Sequence, residues 1–415
     1  MDEIDSQTSP PSPRAPLRRR LGALDPNVRA LGLVSFVADL SSEMVYPVFP
    51  QFVTGVLGAS AAVLGLIEGT AEATASLTRY PFGRFSDAAG RRRAFVLWGY
   101  GLAGLGKLVL ALAFVWPAAL AGRFVDRLGK GMRTAPRDAL LAAGVHDRDR
   151  GLAFGLHRTM DTMGAVLGPL VTLLLVEFGL SLRWIFVLAF VPGVLSVVVI
   201  WRRVRERAPA DGGPARRAAA TPAVARLRLP DSPRFRRLLT ASLVFAVGNS
   251  SNAFILLKAS SVGFSEKGVI LVYVLYNLTY AAGSLPLGGL SDRIGQLPVV
   301  AAGFAVFAAV YAGFAAAKSM TLVAVLFAAY GLYIAATEGT TKALISRTAP
   351  DADRASAMGF FDTSIGVAGF AASVLGGVLW TAVAPWATFA LGAATAALAA
   401  VLLLALGRVH DAAEK

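Results

Sequence analysis

"DRLGKGMRTAPRDAL", residues 126–140, decides how the rest of the chain is read. Four of its fifteen side chains are Arg or Lys and two are Asp, in a chain that is apolar for hundreds of residues. Either it is a cytosolic loop between membrane helices, or it is a helix that carries charge through the bilayer. The composition around it frames the choice. The 415 residues are 55% hydrophobic and 16% charged, with a mean hydropathy of +0.60. Soluble domains carry roughly 25% charged residues and lack long apolar runs. About 20 apolar residues in a helix cross the ~30 Å hydrocarbon core, and 182–201 and 384–406 both meet that length. The class is a polytopic membrane protein. Residues 1–20 are rich in Ser, Pro and Arg and do not read as a signal peptide.

The net charge of +14 is placed unevenly. Arg crowds 14–20, 84–93, 148–150 and 202–237, whereas the connections near 54–60, 115–119 and 380–386 carry none. That is the positive-inside pattern, and it puts both termini and the long central loop in the cytosol. Nucleic acid is not an expected partner, because the Arg clusters lack interleaved aromatics and a fold to present them. The chain has no Cys, which excludes disulfides and thiolate metal sites. Three His without an H-E-x-x-H spacing give metalloenzyme chemistry no support. "GYGLAG" (99–104) lies inside an apolar helix with no preceding strand, so its glycines are packing residues. "LGKGMRT" lacks the spacing of a phosphate-cradling loop, so ATP is not the expected fuel. No enzyme activity, cofactor or metal is expected. Arg far exceeds Lys and Ala abounds, which suggests a bacterial source and hence the cytoplasmic (inner) membrane.

Apolar runs fall near 28–53, 60–82, 94–116, 151–177, 182–201, 235–258, 267–288, 297–317, 319–345, 355–380 and 384–407. Eleven spans would put the termini on opposite sides. An internal repeat resolves the mismatch. "FVADLSSEM" (36–44) echoes "FAVGNSSNA" (245–253), "GRFSDAAGRRR" (83–93) echoes "GGLSDRIGQLP" (288–298), and "HDRDR" (146–150) echoes "PDADR" (350–354). All are displaced by about 205 residues. The second half holds two spans between its Asp-Gly loop and its "DADR" loop, so the first half needs two there as well. Residues 118–140 are therefore a membrane helix. Window hydropathy passes over it because a central Arg or Asp costs about 2.5–3.5 kcal/mol on the insertion scale. The fold class is an all-α membrane protein with twelve spans in two pseudo-symmetric six-helix bundles. Its expected units are a disordered cytosolic tail 1–27, bundle 28–201, basic linker 202–234, bundle 235–407 and a short tail 408–415. In such repeats the solute sits between the halves near the midplane.

"GRFSDAAGRRR" resembles the cytosolic loop signature of the major facilitator superfamily, G-x-L-a-D-r-x-G-r-r, at Gly83, Asp87, Gly90, Arg91 and Arg92. A weaker copy stands at Gly288, Asp292, Arg293 and Gly295, where that family repeats it. Phe85 and Ala88 depart from the pattern. The glycines suit a tight turn, Asp87 suits a helix N-terminus, and Arg91 is expected to pair with an acid such as Asp138. The resemblance implies a cytosolic latch between the halves. "PVFP", with Pro47 and Pro50, resembles the span 1 element of the 12-span drug:proton antiporters in that family. "GAVLGP", with Gly164, Gly168 and Pro169, resembles their span 5 signature, although Thr172 and Leu173 replace its final glycines. These five residues are expected to bend helices in contact. "RLGKG" resembles their span 4 signature, with Lys130 in place of Gln.

Ionised groups at membrane depth are costly and mark function. Positions 123, 127, 130, 134 and 137 recur at helical spacing, so Arg123, Arg127, Lys130 and Arg137 share a face with Thr134. Asp39 and Glu43, and Glu68 and Glu72, are i,i+4 pairs. The proton-coupling candidates are Asp39, Glu43, Glu72 and Asp161. The substrate-cavity candidates are Arg123, Arg127, Lys130, Asn249, Asn252, Asn277 and Asp362, and the resemblance, which implies that spans 1, 4, 7 and 10 line the cavity, assigns Asp39, Glu43 and Arg127 to it. Arg123–Asp126 and Arg158–Asp161 are expected local pairs.

The expected function is secondary active transport of a small solute by alternating access. Proton-coupled efflux is implied by the antiporter resemblance. A proton symporter importing an organic anion is the alternative, favoured by the basic stripe and the incomplete span 5 signature. A non-transporting membrane sensor and a lipid flippase are further alternatives on the same fold. The expected partners are the solute, protons and the lipid bilayer, with the protein acting as a monomer.

Overall fold

Residues Trp116–Ala142 form one unbroken helix, so the stretch that decided the topology is helical throughout. A computed structural model describes residues 24–143, 145, 150–206, 233–348 and 354–413. Every regular element among them is helical. The first half contains α1 (Pro26–Val45), α2 (Ala61–Ala89), α3 (Arg92–Ala111), α4 (Trp116–Ala142), α5 (Arg150–Glu177) and α6 (Leu182–Arg203). The second contains α7 (Pro233–Gly248, resuming at Ala253–Ser261), α8 (Glu266–Ile294), α9 (Gln296–Ala316), α10 (Met320–Thr348), α11 (Arg354–Ala382) and α12 (Pro385–Ala413). The expected twelve crossings in two six-helix halves are therefore present, and the protein is an integral membrane protein. Residues 146–149 and 350–353 of the "HDRDR" and "PDADR" loops, the tail before residue 24 and most of the linker lie outside the described residues.

Local chemistry explains the ends. Asp25 caps α1 by accepting from the Asn27 N–H at 2.7 Å, with Pro26 at the first turn, where a missing donor costs nothing. Ser60 and Ser265 cap α2 and α8 at equivalent points of the repeat. Those two helices end on Gly90 (φ 63°) and Gly295 (φ 94°), a left-handed backbone that only glycine enters cheaply. Beyond Val45 the chain tightens into a 3-10 turn at Tyr46–Val48 and widens into a π turn at Phe52–Val56. Pro47 and Pro50 remove two N–H donors there, which prevents regular α bonding. The repeat-related stretch of α7 breaks instead, at residues 249–252.

Among the described residues, nine helices are long and apolar enough to be recognised as spans by composition. The other three are α1, α2 and α4, which carry the membrane-depth acids and the basic stripe. α4 crosses because one of its faces is built of glycine. A Cβ added at Gly106 of α3 would lie 2.6 Å from the Gly122 oxygen of α4, and one at Gly129 would lie 2.8 Å from the Ala103 nitrogen of α3. Backbones this close pack without side chains between them, which is how helices associate in lipid. The charged face of α4 is then turned toward the middle of the molecule.

The halves meet through α2 against α11 and α5 against α8. Under the repeat, α2 corresponds to α8 and α5 to α11, so these are two copies of one contact. The α2–α11 seam is lined with small residues. A Cβ at Gly69 would meet the Phe370 oxygen at 2.9 Å, and one at Gly377 the Ala61 oxygen at 2.6 Å. At the ends of α5 and α8, Lys267 also pairs with Glu177 at 2.5 Å.

The absence of native Cys makes sidedness directly measurable. Cysteines at exposed Ser60 and Ala88 stand at opposite ends of α2. A membrane-impermeant maleimide applied to intact cells is expected to label Ser60→Cys and not Ala88→Cys; the reverse pattern would invert the topology. Gly106→Val is expected to cost about 1–3 kcal/mol in thermal unfolding, because overpacking forces α3 and α4 apart.

Candidate functional site

A cavity of about 320 Å³ lies between the halves, bounded by α1 to α5 on one side and by α7, α8 and α10 on the other. Its first wall carries Asp39 and Glu43 from α1, Glu72 from α2, Lys107 from α3, Arg123, Asp126, Arg127, Lys130 and Arg133 from α4, and Arg158 and Asp161 from α5. Its second wall carries Asn252, Tyr273, Tyr276, Asn277, Tyr280 and Glu338. Six cations and six acids thus face a space enclosed by apolar helices, where each ion needs a partner.

Most have one. Buried Arg123 donates from Nε and Nη2 to Glu68 Oε1 at 2.9 and 2.6 Å, and its guanidinium lies over the Phe49 ring at 4.8 Å. The other Glu68 oxygen accepts from Ser251 Oγ at 3.0 Å, in the break of α7, so this acid joins the two halves. Lys107 Nζ pairs with Asp126 at 3.3 Å, and Arg127 sits 3.7 Å from Asp126 and 4.0 Å from Glu72. Glu43 accepts from the Tyr273 hydroxyl at 2.7 Å, a second bond between halves. Asp161 accepts from Ser35 at 2.8 Å and pairs with Arg158 at 3.4 Å, with Asp39 its neighbour on the cavity wall. Arg158 also reaches across to Tyr280 and, at 3.1 Å, to Glu338. Two cations stand apart. Lys130 and Arg133 pair with no carboxylate among the described residues, and Arg133 rests on the Tyr100 ring at 4.2 Å.

Glycines place the carboxyls. A Cβ at Gly164 would lie 3.0 Å from Asp39 Cβ, and one at Gly168 2.7 Å from Glu43 Cβ. The "GAVLGP" stretch is therefore the seat on which the acid-bearing turns of α1 rest, with Pro169 one residue further along α5. Pro47 and Pro50 lie at the helix-type change just beyond Glu43.

Seven of the sequence-derived coupling and cavity candidates from the first half line this space: Asp39, Glu43, Glu72, Asp161, Arg123, Arg127 and Lys130. Asn252 and Asn277 join them from the second half. Asn249 and Asp362 do not. Asn249 lies in the break of α7, and Asp362 is held by Arg79 of α2 at 3.1 Å, another link between halves. The Arg91–Asp138 pairing is also corrected. Asp138 is held by its neighbour Arg137 at 2.8 Å, and Asp87 by Arg92 at 2.7 Å, because each acid has a nearer cation on its own turn or loop. Gly83 packs against Ala135, and Arg93 reaches the Trp201 carbonyl, so the "GRFSDAAGRRR" loop is tied within its own half. Gly288, Asp292 and Arg293 lie on the last turns of α8, with the two charged residues exposed. Sequence reasoning passed over Lys107, Arg133, Tyr273, Tyr276, Tyr280 and Glu338 as site residues. "VYVLYNLTY" does place its tyrosines at i, i+3 and i+7, and Lys107 and Glu338 are charges inside apolar runs.

The signature of the Major Facilitator Superfamily matches residues 31–258 and again 238–415. An uncharacterized MFS-type transporter of Methanocaldococcus jannaschii is 34% identical over 388 residues, 92% of this chain and 95% of that protein. Among solved structures, the POT family transporter PepTSo superposes with a TM-score of 0.75 at 13% identity, covering 93% of this chain and 98% of its own. The nucleoside transporter NupG gives 0.73 at 14%, covering 91% and 99%.

Removing one member of a buried ion pair strands the other. Glu68→Gln is expected to lower unfolding stability by about 3–5 kcal/mol. The double variant Glu68→Leu/Arg123→Leu should recover most of that loss in the same thermal melt.

Proposed function

The chain belongs to the major facilitator superfamily, and from that membership we propose that this membrane transporter carries a small anion together with protons through the cavity between its halves. The observation that carries the proposal is the adjacency of two groups. Lys130 and Arg133 have no carboxylate at ion-pair distance among the described residues, and Lys130 lies within electrostatic range of both Glu72 and Asp39. Asp39 and Asp161 are neighbouring carboxyls that line the same cavity, a place where a proton can be taken up.

Linkage then sets the direction of coupling. A proton added to Asp39 or Glu43 removes negative charge beside Lys130, Arg127 and Arg133, and so strengthens the hold on an anion. Proton and anion therefore assist one another through a single coupling free energy, which is the thermodynamic condition for cotransport. The membrane potential supplies the need. Moving one negative charge into an interior-negative cell costs about 2.3 kcal/mol per 100 mV, and an accompanying proton cancels that cost. Arg158 connects the coupling site to the path. It holds Asp161 in its own half and Glu338 and Tyr280 in the other, so opening of the halves on that side must break its bridge.

Efflux in exchange for protons is the second reading. It is favoured by the seating of Gly164 and Gly168 on the acid-bearing turns of α1, which gives the antiporter-like sequence a structural role.

A thermal-shift screen of purified protein against small anions in acidic and neutral buffer comes first, since ligands stabilise what they bind. Anions are expected to stabilise more strongly in the acidic buffer. The stabilising anion is then added outside proteoliposomes that contain a pH dye. Cotransport acidifies the lumen, exchange makes it alkaline, and an unchanged signal would remove proton coupling. Arg127→Ala is expected to abolish transport while the protein still inserts, and Asp39→Asn to leave transport that no longer responds to pH. Wild-type rates in both variants would overturn these assignments.

A further inference from the structure

The cavity is asymmetric in its chemistry. All six of its cations come from α3, α4 and α5 of the first half. The second half contributes one charge, Glu338, which is already engaged by Tyr280 at 2.6 Å and by Arg158. The rest of that wall is three tyrosines, two asparagines and Ile334. Tyr273 and Tyr276 lie with ring centroids 5.4 Å apart, and Tyr46 of the first half extends the row, 5.7 Å from Tyr273.

Some side-chain donors on the lining residues are left without partners. Three of them have buried side-chain nitrogens with no hydrogen-bond partner: Arg127 Nε, Arg133 Nε and Asn277 Nδ2. All three are donors, and no lining residue has a buried acceptor in the same condition. Asn252 spends its carbonyl oxygen on the Tyr330 hydroxyl at 2.7 Å, which leaves its amide N–H groups to donate. A buried donor without a partner costs about 1–3 kcal/mol, a cost that a small side-chain shift toward a ligand's oxygen acceptor would relieve.

We propose that the transported anion is a single polar ring carrying one oxyanion group. Its carboxylate or phosphate lies toward Arg127, Lys130 and Arg133, and its ring lies on the tyrosine row with its oxygens toward Asn277 and Asn252. The cavity volume of about 320 Å³ is at the small end for ligand sites, which suits one ring and excludes dinucleotides and oligopeptides. The inference rests on the anion reading above, and it adds the chemistry of the uncharged end.

The test is a binding comparison on the purified full-length protein in acidic buffer, followed by thermal shift. The ring-bearing anions are a hexose phosphate and a hydroxybenzoate. The ring-less anions are glycerol phosphate and inorganic phosphate, and free hexose is the uncharged ring. At least one ring-bearing anion is expected to bind roughly tenfold more tightly than either ring-less one. Asn277→Ala and Tyr276→Leu should close that gap, while Tyr276→Phe, which keeps the ring face, should retain most of it. The melting temperature of unliganded Asn277→Ala, measured beside its affinity, separates a binding role from a packing one: a loss of affinity that persists where the unliganded protein remains folded marks binding. Equal binding of ring-less and ring-bearing anions, with Asn277→Ala silent, would overturn this inference and leave the anion reading intact. Equal binding of free hexose and hexose phosphate, with Lys130→Ala silent, would overturn the anion reading itself.

Discussion

An ion inside hydrocarbon must find its counter-charge within the protein, and the fold is organised around that requirement. α4 brings Arg123, Asp126, Arg127, Lys130 and Arg133 to membrane depth. The surrounding helices are placed so that Glu68, Glu72 and Lys107 meet them. Water would satisfy these groups at little cost, whereas lipid would not. Each buried pair therefore acts as a register mark for helix packing.

Two packing chemistries share the work. Where helices of the same half meet, glycine faces such as Gly106–Gly122 and Gly164–Asp39 bring backbones into contact and set the charged faces inward. Where the halves meet, the small-residue seam of α2 and α11 is supplemented by a few polar links: Glu68 to Ser251, Glu43 to Tyr273, Arg79 to Asp362 and Arg158 to Glu338. Three of these four links depend on a carboxylate that also faces a cation or the cavity. The groups that bind charge are thereby the groups that join the halves. That coincidence lets occupancy of the site and the arrangement of the bundles depend on one another.

The two halves are alike in backbone and unlike in chemistry. The stretches 36–44 and 245–253 share Phe and two serines, yet the first is continuous helix with Asp39 and Glu43 and the second breaks at residues 249–252. The break turns Ser251 toward Glu68 and Asn252 toward Tyr330, a polar role that an intact helix would not serve. Charge is concentrated in one half and aromatic hydroxyls and amides in the other, so a solute between them meets two different surfaces.

The number of crossings, the two-fold repeat and the identity of α4 as a membrane helix were legible in the sequence, because hydropathy, loop charge and repeat spacing are local or periodic quantities. So were most of the acids and bases on α1, α2, α4 and α5, Arg133 excepted. Partner choice was not legible. Arg137 rather than Arg91 takes Asp138, Arg79 takes Asp362, and Lys107 reaches Asp126, since pairing in a crowded low-dielectric site is decided by distances between helices. The tyrosine wall was equally hidden, because aromatic residues at helical spacing in an apolar span read as ordinary core until the tertiary structure shows which face meets the cavity. Composition and periodicity determined that this chain crosses the bilayer twelve times with charge inside it. Only the packing of glycine against backbone decided which charges face one another, and so which remain to hold a solute.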